Sequence, residues 1–176
     1  MAGDADVVVG AGDFASVHRG LEETIAALEP IDTPTALVAG NNETDRALRE
    51  ACAGWGAATV LHGDGAEIDG TSFWGLGGGV PTTRWDWSFD LTEDEAWERL
   101  ADCPEGAVLV LHSPPKGHVD RRGDKHLGSE AILRAIEEKR PPVAVCGHIH
   151  ECFGEEATIG PTKVLNLGPD GTFIEL

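Results

Sequence analysis

Four short apolar runs divide the chain, and each has the length and composition of a buried strand rather than of an amphipathic helix. The runs are residues 7–9, 35–39, 108–111 and 143–146. Between them, apolar residues recur at helical spacing, and helices are predicted to begin near Leu21, Thr44, Thr92 and Ser129. This alternation of strands and helices predicts an α/β domain with a mostly parallel sheet.

The remaining segments are shorter and richer in glycine. Residues 57–87 predict short strands joined by tight turns, with a hairpin at Asp69-Gly70. The same segment contains a glycine-rich stretch at residues 75–80, but Val80 stands where the dinucleotide fingerprint needs its third glycine, so a Rossmann-type nucleotide binder is a minor alternative. Closing strands are predicted at 157–159, 163–165 and 172–176.

Each of the four apolar runs is followed by polar side chains that can bind a cation. Asp13 follows the first run, Asn41 the second, His112 the third, and His148 with His150 the fourth. Each fragment alone also fits a turn, a helix cap or ordinary loop histidines. Side chains two apart on an extended chain point the same way, so the two histidines of the last run can meet at one point. Because parallel strands end along one edge of a sheet, the five side chains are predicted to form a metal site.

The predicted ligands mix oxygen and nitrogen donors. One carboxylate, one amide oxygen and three imidazoles suit manganese, zinc or iron better than calcium. Cys146 and Cys152 flank the histidine pair, so a zinc site that uses them is an open alternative. Otherwise the four cysteines are expected to be reduced, and most of them buried.

The loop before the last predicted helix is dense in polar groups. In a very acidic chain, Arg121, Arg122 and Lys125 form a local positive island. A solvated loop explains them; the alternative is a clamp for an anionic substrate, with Arg121 and Lys125 as the substrate-binding residues. Trp85 and Trp87 either pack against the core or flank a pocket.

The net charge of the chain limits the kinds of partner that it can bind. Thirty-one acidic residues face 13 basic ones, which gives a formal net charge of −18. Such a surface repels nucleic-acid polymers and anionic membranes, so neither is an expected partner. The acids are spread along the chain, and salt would screen their repulsion, so we interpret the protein as halophilic. With 176 residues, no secretory signal and no run near the roughly 20 apolar residues of a membrane span, it is expected to be a cytoplasmic single domain.

Four ordered motifs resemble those of the calcineurin-like metallophosphoesterases. The GD, GN(H/C/N)(D/E), H and GHxH blocks of that family are matched by Gly12-Asp13, Gly40-Asn41-Asn42-Glu43, His112 and Gly147-His148-Ile149-His150. The resemblance spans nearly the whole chain and is greatest to the small Icc-related phosphoesterases. It implies a four-layer αββα sandwich with a two-metal centre. By resemblance, Asp13 bridges the metals, Asn41, His112 and His148 complete one site, and His150 serves the other.

The chain departs from the family pattern at two places. The family opens with a strand that ends in DxH, and nothing before Asp13 matches it. We therefore interpret residues 1–176 as a single domain of this type that lacks its first strand, truncated by one βα unit of about 30 residues; genuine loss of one metal site is the alternative. Asn42 stands where many members carry the histidine that protonates the leaving group, and His118 or His126 can substitute. Asn42 and His126 are the candidate catalytic residues.

The resemblance implies a metal-dependent phosphoric ester hydrolase. Its expected reaction is that of a phosphodiesterase, the hydrolysis of a small phosphate ester by attack of a metal-bound hydroxide. Manganese is the expected cofactor, with zinc, iron, nickel or magnesium as alternatives. Two ions are expected in a complete protein, and one in a chain that has lost a metal site. The alternative function is a non-catalytic module that binds a metal or a phosphate ligand. The expected partners are a small phosphorylated substrate and further copies of the chain in a homo-oligomer.

Overall fold

The computed structural model describes residues 4–176, which form four helices and eleven strands. The helices are α1 (Leu21–Leu28), α2 (Asp45–Ala51), α3 (Glu93–Ala101) and α4 (Glu130–Lys139). The strands are β1 (Val8–Gly10), β2 (Thr35–Leu37), β3 (Ala58–Val60), β4 (Asp64–Ile68), β5 (Thr71–Leu76), β6 (Val108–Leu111), β7 (Arg121–Arg122), β8 (Lys125–His126), β9 (Val143–Cys146), β10 (Glu156–Ile159) and β11 (Thr162–Asn166).

The strands form two main sheets. The first contains β1, β2 and β3 in that order, all parallel. The second has the order β10-β11-β9-β6-β5-β4; its four central strands are parallel, and β4 and β10 are antiparallel edges. The four apolar runs of the sequence therefore belong to two sheets rather than one, with β1 and β2 in the first and β6 and β9 in the second.

Three apolar cores separate four layers. Val38, Phe73, Val110 and Val145 belong to the core between the two sheets. The helices α1 and α2 cover the outer face of the first sheet, and α3 and α4 cover the outer face of the second. Because both faces of the central strands are covered, these strands are continuous apolar runs rather than alternating ones. The αββα sandwich expected from the resemblance is confirmed, and among residues 4–176 no strand precedes β1.

The helix starts follow the expected local chemistry. Thr92 and Glu95 form a reciprocal capping box at the start of α3. The Ser129 hydroxyl accepts a hydrogen bond from the Ile132 N–H at the start of α4, at 3.1 Å. The hairpin at Asp69-Gly70 is also present, between β4 and β5. None of the helices within residues 4–176 combines the length and the apolar character that crossing a lipid bilayer requires.

Two segments differ from the sequence-based expectation. The predicted strand at 172–176 does not form; only Ile174 of that segment packs against the core between the sheets, so it lacks the buried face that fixes a strand. The loop before α4 contains a small hairpin, in which β7 pairs with β8. This hairpin carries all three side chains of the predicted positive island, Arg121, Arg122 and Lys125.

Candidate metal centre

Four polar side chains converge beyond the carboxyl ends of four strands. Asp13 follows β1 and Asn41 follows β2, both in the first sheet. His112 follows β6 and His148 follows β9, both in the second sheet. We refer to these four side chains as the donor cluster. Each sheet contributes two of its members.

The distances within the donor cluster are those of groups that can share one ion. One ligand atom from each of Asp13, His112 and His148 lies within 4.8 Å of the others. His112 Nε2 is 3.6 Å from Asp13 Oδ1 and 3.1 Å from His148 Nδ1. Asn41 Oδ1 is 3.3 Å from the same His112 nitrogen. The His112 ring is therefore at the centre of the cluster.

The orientation of His112 is fixed by the backbone. Its Nδ1 lies 2.7 Å from the carbonyl oxygen of Ala11, which can only accept, so this nitrogen carries the proton. In the neutral ring, Nε2 then keeps its lone pair and points it into the donor cluster. Every member of the cluster thus presents an atom that can act as an acceptor. A divalent cation satisfies four such atoms together, and a carboxylate, an amide oxygen and two imidazoles are a fitting donor set for manganese, zinc or iron.

The electrostatics keep the cluster in the form that binds a cation. Burial would raise the pKa of the Asp13 carboxyl, but the His112 ring and hydrogen bonds from Asn42 outweigh it and hold that pKa below its usual value. Burial, reinforced by the neighbouring His112, lowers the pKa of His148 to about 4. At neutral pH the first group is therefore ionised and the second is uncharged, as metal ligands must be.

Backbone conformation brings the first two loops into contact. A Cβ on Gly12 would lie 2.5 Å from Gly40 Cα, and one on Gly40 would lie 2.1 Å from Asp13 Oδ1. Asp13 and His148 both adopt left-handed φ angles, 59° and 66° respectively. Such angles cost roughly 1–2 kcal/mol each in residues other than glycine. Strain of this kind persists only where surrounding contacts over-determine it, and it clusters at functional sites.

Glu43 is the contact that joins the two loops. Its carboxylate is 1% exposed and accepts hydrogen bonds from the N–H groups of Gly40 at 2.6 Å, Ala15 at 3.0 Å and Phe14 at 3.3 Å. The sequence marked Glu43 as part of a motif, but its partners lie up to 29 residues away and no local pattern reveals them. Glu43 positions the backbone on either side of Asp13 and Asn41.

Asn42 adjoins the donor cluster without being a member of it. Its backbone N–H donates to Asp13 Oδ1 at 3.1 Å, and its side-chain oxygen accepts from the Val17 N–H at 2.9 Å. His18 follows in the same loop and lies 2.6 Å from the Trp87 carbonyl oxygen through Nε2. The Asn42 side chain thus ties a surface loop to the edge of the site.

His150 is separate from the donor cluster. It is exposed, begins a short 3₁₀ turn (His150–Cys152), and its ring centroid lies 4.7 Å from that of Phe153. The two histidines would point the same way only on an extended chain, and the left-handed conformation of His148 breaks that geometry. Among the described residues, the three-membered cluster of metal-binding side chains does not include His150 or any cysteine.

A cavity of about 630 Å³ opens in front of the donor cluster. Asp13, His148 and His150 line it, together with Trp85 and Trp87, whose rings are stacked with their centroids 5.5 Å apart. Arg122 also lines the cavity and forms a 3.1 Å ion pair with Glu151, another lining residue. Of the predicted positive island, Arg122 is thus the member that lines the cavity, although the sequence favours Arg121 and Lys125 as the substrate-binding residues.

The other positive and titratable residues of the hairpin lie beside this cavity rather than in its wall. Arg121, Lys125 and His126 are exposed and are not lining residues. His126 Nδ1 lies 2.5 Å from Asp120 Oδ1, which leaves Nε2 as its accessible nitrogen. His118 is half-buried in the turn that precedes the hairpin.

Comparison with known proteins gives the same assignment. The family profile of calcineurin-like phosphoesterases matches residues 2–152. The UPF0046 protein K07C11.7 of Caenorhabditis elegans is 29% identical over 177 residues, a match that covers 86% of this chain and 58% of that protein. The uncharacterized protein MJ1162 of Methanocaldococcus jannaschii is 30% identical over 184 residues, which cover 97% of this chain and 80% of the relative. The chain therefore spans little more than half the length of the first of these relatives.

A solved structure shows the same fold. The crystal structure of TT1561 of Thermus thermophilus matches with a TM-score of 0.71 at 18% identity, covering 94% of this chain and 78% of that one. The profile match takes in all four members of the donor cluster and most of the chain. The chain thus belongs to the calcineurin-like phosphoesterase family, whose chemistry is the metal-dependent hydrolysis of phosphate esters.

Proposed function

We propose that this protein is a metal-dependent phosphodiesterase that hydrolyses a small phosphate ester. The observation that carries the proposal is the convergence of the donor cluster beside an open cavity, which three of its members, Asp13, Asn41 and His148, line. The family assigns phosphate esters as the class of substrate. The cavity size suits a small molecule rather than a polymer, and the net charge of −18 disfavours a nucleic-acid polymer.

Asp13, Asn41, His112 and His148 would hold the cation, for which manganese is our first candidate. When bound, a divalent cation supplies charge that offsets the phosphate oxygens and makes hydroxide available near neutral pH. The chain itself keeps the Asp13 carboxylate ionised and the His148 ring neutral, so binding requires no proton release from either group. His150, on the cavity wall, is our candidate ligand for a second cation.

The walls of the cavity would bind the substrate. Arg84 and Arg122 are the arginines that line the cavity, and a phosphate group could replace Glu151 as the partner of Arg122. Arg121 and Lys125, on the adjoining hairpin, are proposed to add long-range attraction for an anion. The stacked pair of Trp85 and Trp87 offers an apolar surface to the organic part of the ester.

Proton donation to the leaving group is assigned to residues beside the cluster. The Asn42 amide lines the cavity and can donate a hydrogen bond to the leaving group but has no proton to release, whereas His126 has its Nε2 accessible while Asp120 holds its other nitrogen. His118 is the remaining candidate. A substrate with a good leaving group requires no such donor, which makes an activated diester the most direct probe.

The alternative is a non-catalytic module that binds one cation or a phosphate ligand. It is favoured by a specific observation: within residues 4–176 the ligands form one cluster, and His150 stands apart from it. The two functions differ in turnover and not in affinity. Metal binding alone therefore does not distinguish them.

The test measures hydrolysis of bis-p-nitrophenyl phosphate with manganese, cobalt, nickel, zinc or magnesium, alongside a calorimetric manganese titration. We expect turnover with manganese and its loss in Asn41→Ala and His112→Ala, while Asp124→Asn, an exposed change on the hairpin, behaves as the wild type. One bound ion per chain with no turnover under any metal would support the binding module instead. Absence of both binding and turnover would contradict either function.

A further inference from the structure

The side-chain amide of Asn41 must present one particular end to the donor cluster. An amide has an oxygen that accepts and a nitrogen that only donates, and only the oxygen can bind a cation. In the structure Asn41 Nδ2 donates to the Ser88 hydroxyl at 2.8 Å, and Oδ1 is turned towards His112. Asn41 itself is 3% exposed. The choice of end is therefore made by its neighbours.

Ser88 alone cannot make this choice, because a hydroxyl both donates and accepts. Its partner Asp90 removes the ambiguity: the Ser88 hydroxyl lies 2.6 Å from Asp90 Oδ1, and an ionised carboxylate can only accept. The hydroxyl proton is therefore committed to Asp90. The oxygen of Ser88 is left as an acceptor, which favours the nitrogen end of Asn41 and excludes its oxygen.

Asp90 is itself held in place. Its second oxygen accepts the Thr83 N–H at 2.6 Å. Gly79 allows the close approach, because a Cβ there would lie 2.4 Å from Asp90 Oδ1. Both oxygens of the carboxylate are thus engaged, one towards the Ser88 hydroxyl and one towards the backbone.

Backbone hydrogen bonds fix the segment around Ser88 and Asp90 independently of the hydrogen bonds between side chains. The Phe89 N–H donates to the Asn41 carbonyl at 3.0 Å, and the Leu91 N–H donates to the Gly79 carbonyl at 2.8 Å. Removal of the Ser88 hydroxyl would leave these bonds intact. A Ser88 variant is therefore expected to fold and to report on orientation alone.

We propose that Asp90 and Ser88 are positioning residues that set the Asn41 oxygen towards the bound cation. The inference rests on the proposed function only in taking the donor cluster as a cation site. Partners of metal ligands commonly affect metal affinity by about 10–100-fold. Neither residue is a member of the motifs found in the sequence.

The experiment compares manganese affinity in two backgrounds by calorimetry. With Asn41 present, Ser88→Ala and Asp90→Asn are expected to weaken manganese binding by about 10-fold or more. Ser88→Thr, which keeps the hydroxyl, is expected to bind manganese as the wild type does. In an Asn41→Asp background, both carboxylate oxygens are acceptors and no end needs to be chosen. There, Ser88→Ala is expected to change the affinity less than about twofold, a coupling that a purely structural role would not produce. Equal losses in both backgrounds, or no loss in either, would overturn the proposal.

A control and a second readout separate this proposal from the proposed function. Asp86→Asn removes the same charge from an exposed position in the same loop and is expected to leave affinity unchanged. In the metal-free protein, the side-chain amide protons of Asn41 are expected to be protected from exchange in the wild type and to lose that protection in Ser88→Ala. Unprotected protons in the wild type would overturn the orientation argument even if manganese binds. Protected protons in a protein that never hydrolyses an ester would uphold it while the proposed function fails.

Discussion

Glu43 shows how one buried carboxylate can organise two loops at the scale of single residues. It accepts three backbone N–H groups and is almost completely enclosed. Buried hydrogen bonds to a charged group are worth more than neutral ones, and a donor left without a partner costs the desolvation of that donor. The positions of Asp13 and Asn41 therefore depend on a residue that does not point into the site.

Glu43→Gln is expected to destabilise the fold by about 1–3 kcal/mol and to weaken manganese binding, because the amide nitrogen would face a backbone donor. Urea denaturation measures the first effect and calorimetry the second. Glu50→Gln, on the exposed face of α2, is the matched control. Wild-type stability in Glu43→Gln would show that the three contacts contribute little.

Asp120 has a comparable role in the loop that carries the hairpin. It is buried and accepts from Gly117 N–H at 3.0 Å, Gly128 N–H at 2.8 Å and His126. Burial would raise the pKa of this carboxyl, but the His126 hydrogen bond and the two backbone donors outweigh it and lower the pKa. The folded state therefore favours the ionised form.

Asp120→Asn is expected to destabilise the protein by an amount that depends on pH. A carboxyl whose pKa is lowered by folding stabilises the protein above its unfolded pKa of about 3.9, and this stabilisation disappears as the pH falls through the lower, folded value. The difference from wild type in urea denaturation should thus be full at pH 7 and shrink below about pH 4. Asp124→Asn, exposed on the same hairpin, should show no such trend; a constant difference at all pH values would contradict the assignment.

The residues of the donor cluster could be predicted from the sequence because each lies just after an apolar run, where a strand end places it. Ser88 could not, since it lies 47 residues from Asn41 and the two meet only through tertiary contacts. The placement of His150 also depends on a local detail, the left-handed conformation of His148, which hydrophobic patterning does not encode.

At the scale of elements, a side chain at the start of α3 caps the N-terminus of α4 and so joins the two helices. Glu93, in the first turn of α3, accepts from the Ser129 hydroxyl at 2.7 Å and from the N–H groups of Glu130 at 3.1 Å and Ala131 at 2.9 Å. A carboxylate at the N-terminus of a helix satisfies free donors and interacts favourably with the helix dipole. The capping box and the Ser129 cap were readable from the sequence; this contact between helices was not, because it joins residues 36 to 38 apart.

Glu93→Ala is expected to destabilise the protein by about 1–2 kcal/mol, the range of a lost helix cap. Thermal and urea denaturation measure the change. Glu98→Ala, at an exposed position of the same helix, should stay within about 0.5 kcal/mol of wild type. Similar losses in both variants would indicate a general helix effect rather than the contact with α4.

At the scale of the whole molecule, the dominant feature is the net charge of −18. Self-repulsion of like charges opposes the compact state, and screening lengths fall from about 8 Å at physiological ionic strength to about 3 Å in molar salt. The melting temperature is therefore expected to rise between low-salt buffer and molar KCl. A variant with exposed acids changed to amides, at Glu67, Glu105 and Glu137, should start higher and respond less; an unchanged or falling melting temperature of the wild type would contradict the halophilic interpretation.

The division of the donor cluster between two sheets has a mechanical consequence. A cation held by Asp13 and Asn41 on one side and by His112 and His148 on the other would act as a crosslink across the sandwich. Saturation at 100 times the dissociation constant stabilises a folded protein by about 2.7 kcal/mol. Removal of the ion by a chelator should consequently speed hydrogen–deuterium exchange at the ends of β2 and β6 together, because the contact between the two sheets would loosen at both strand ends.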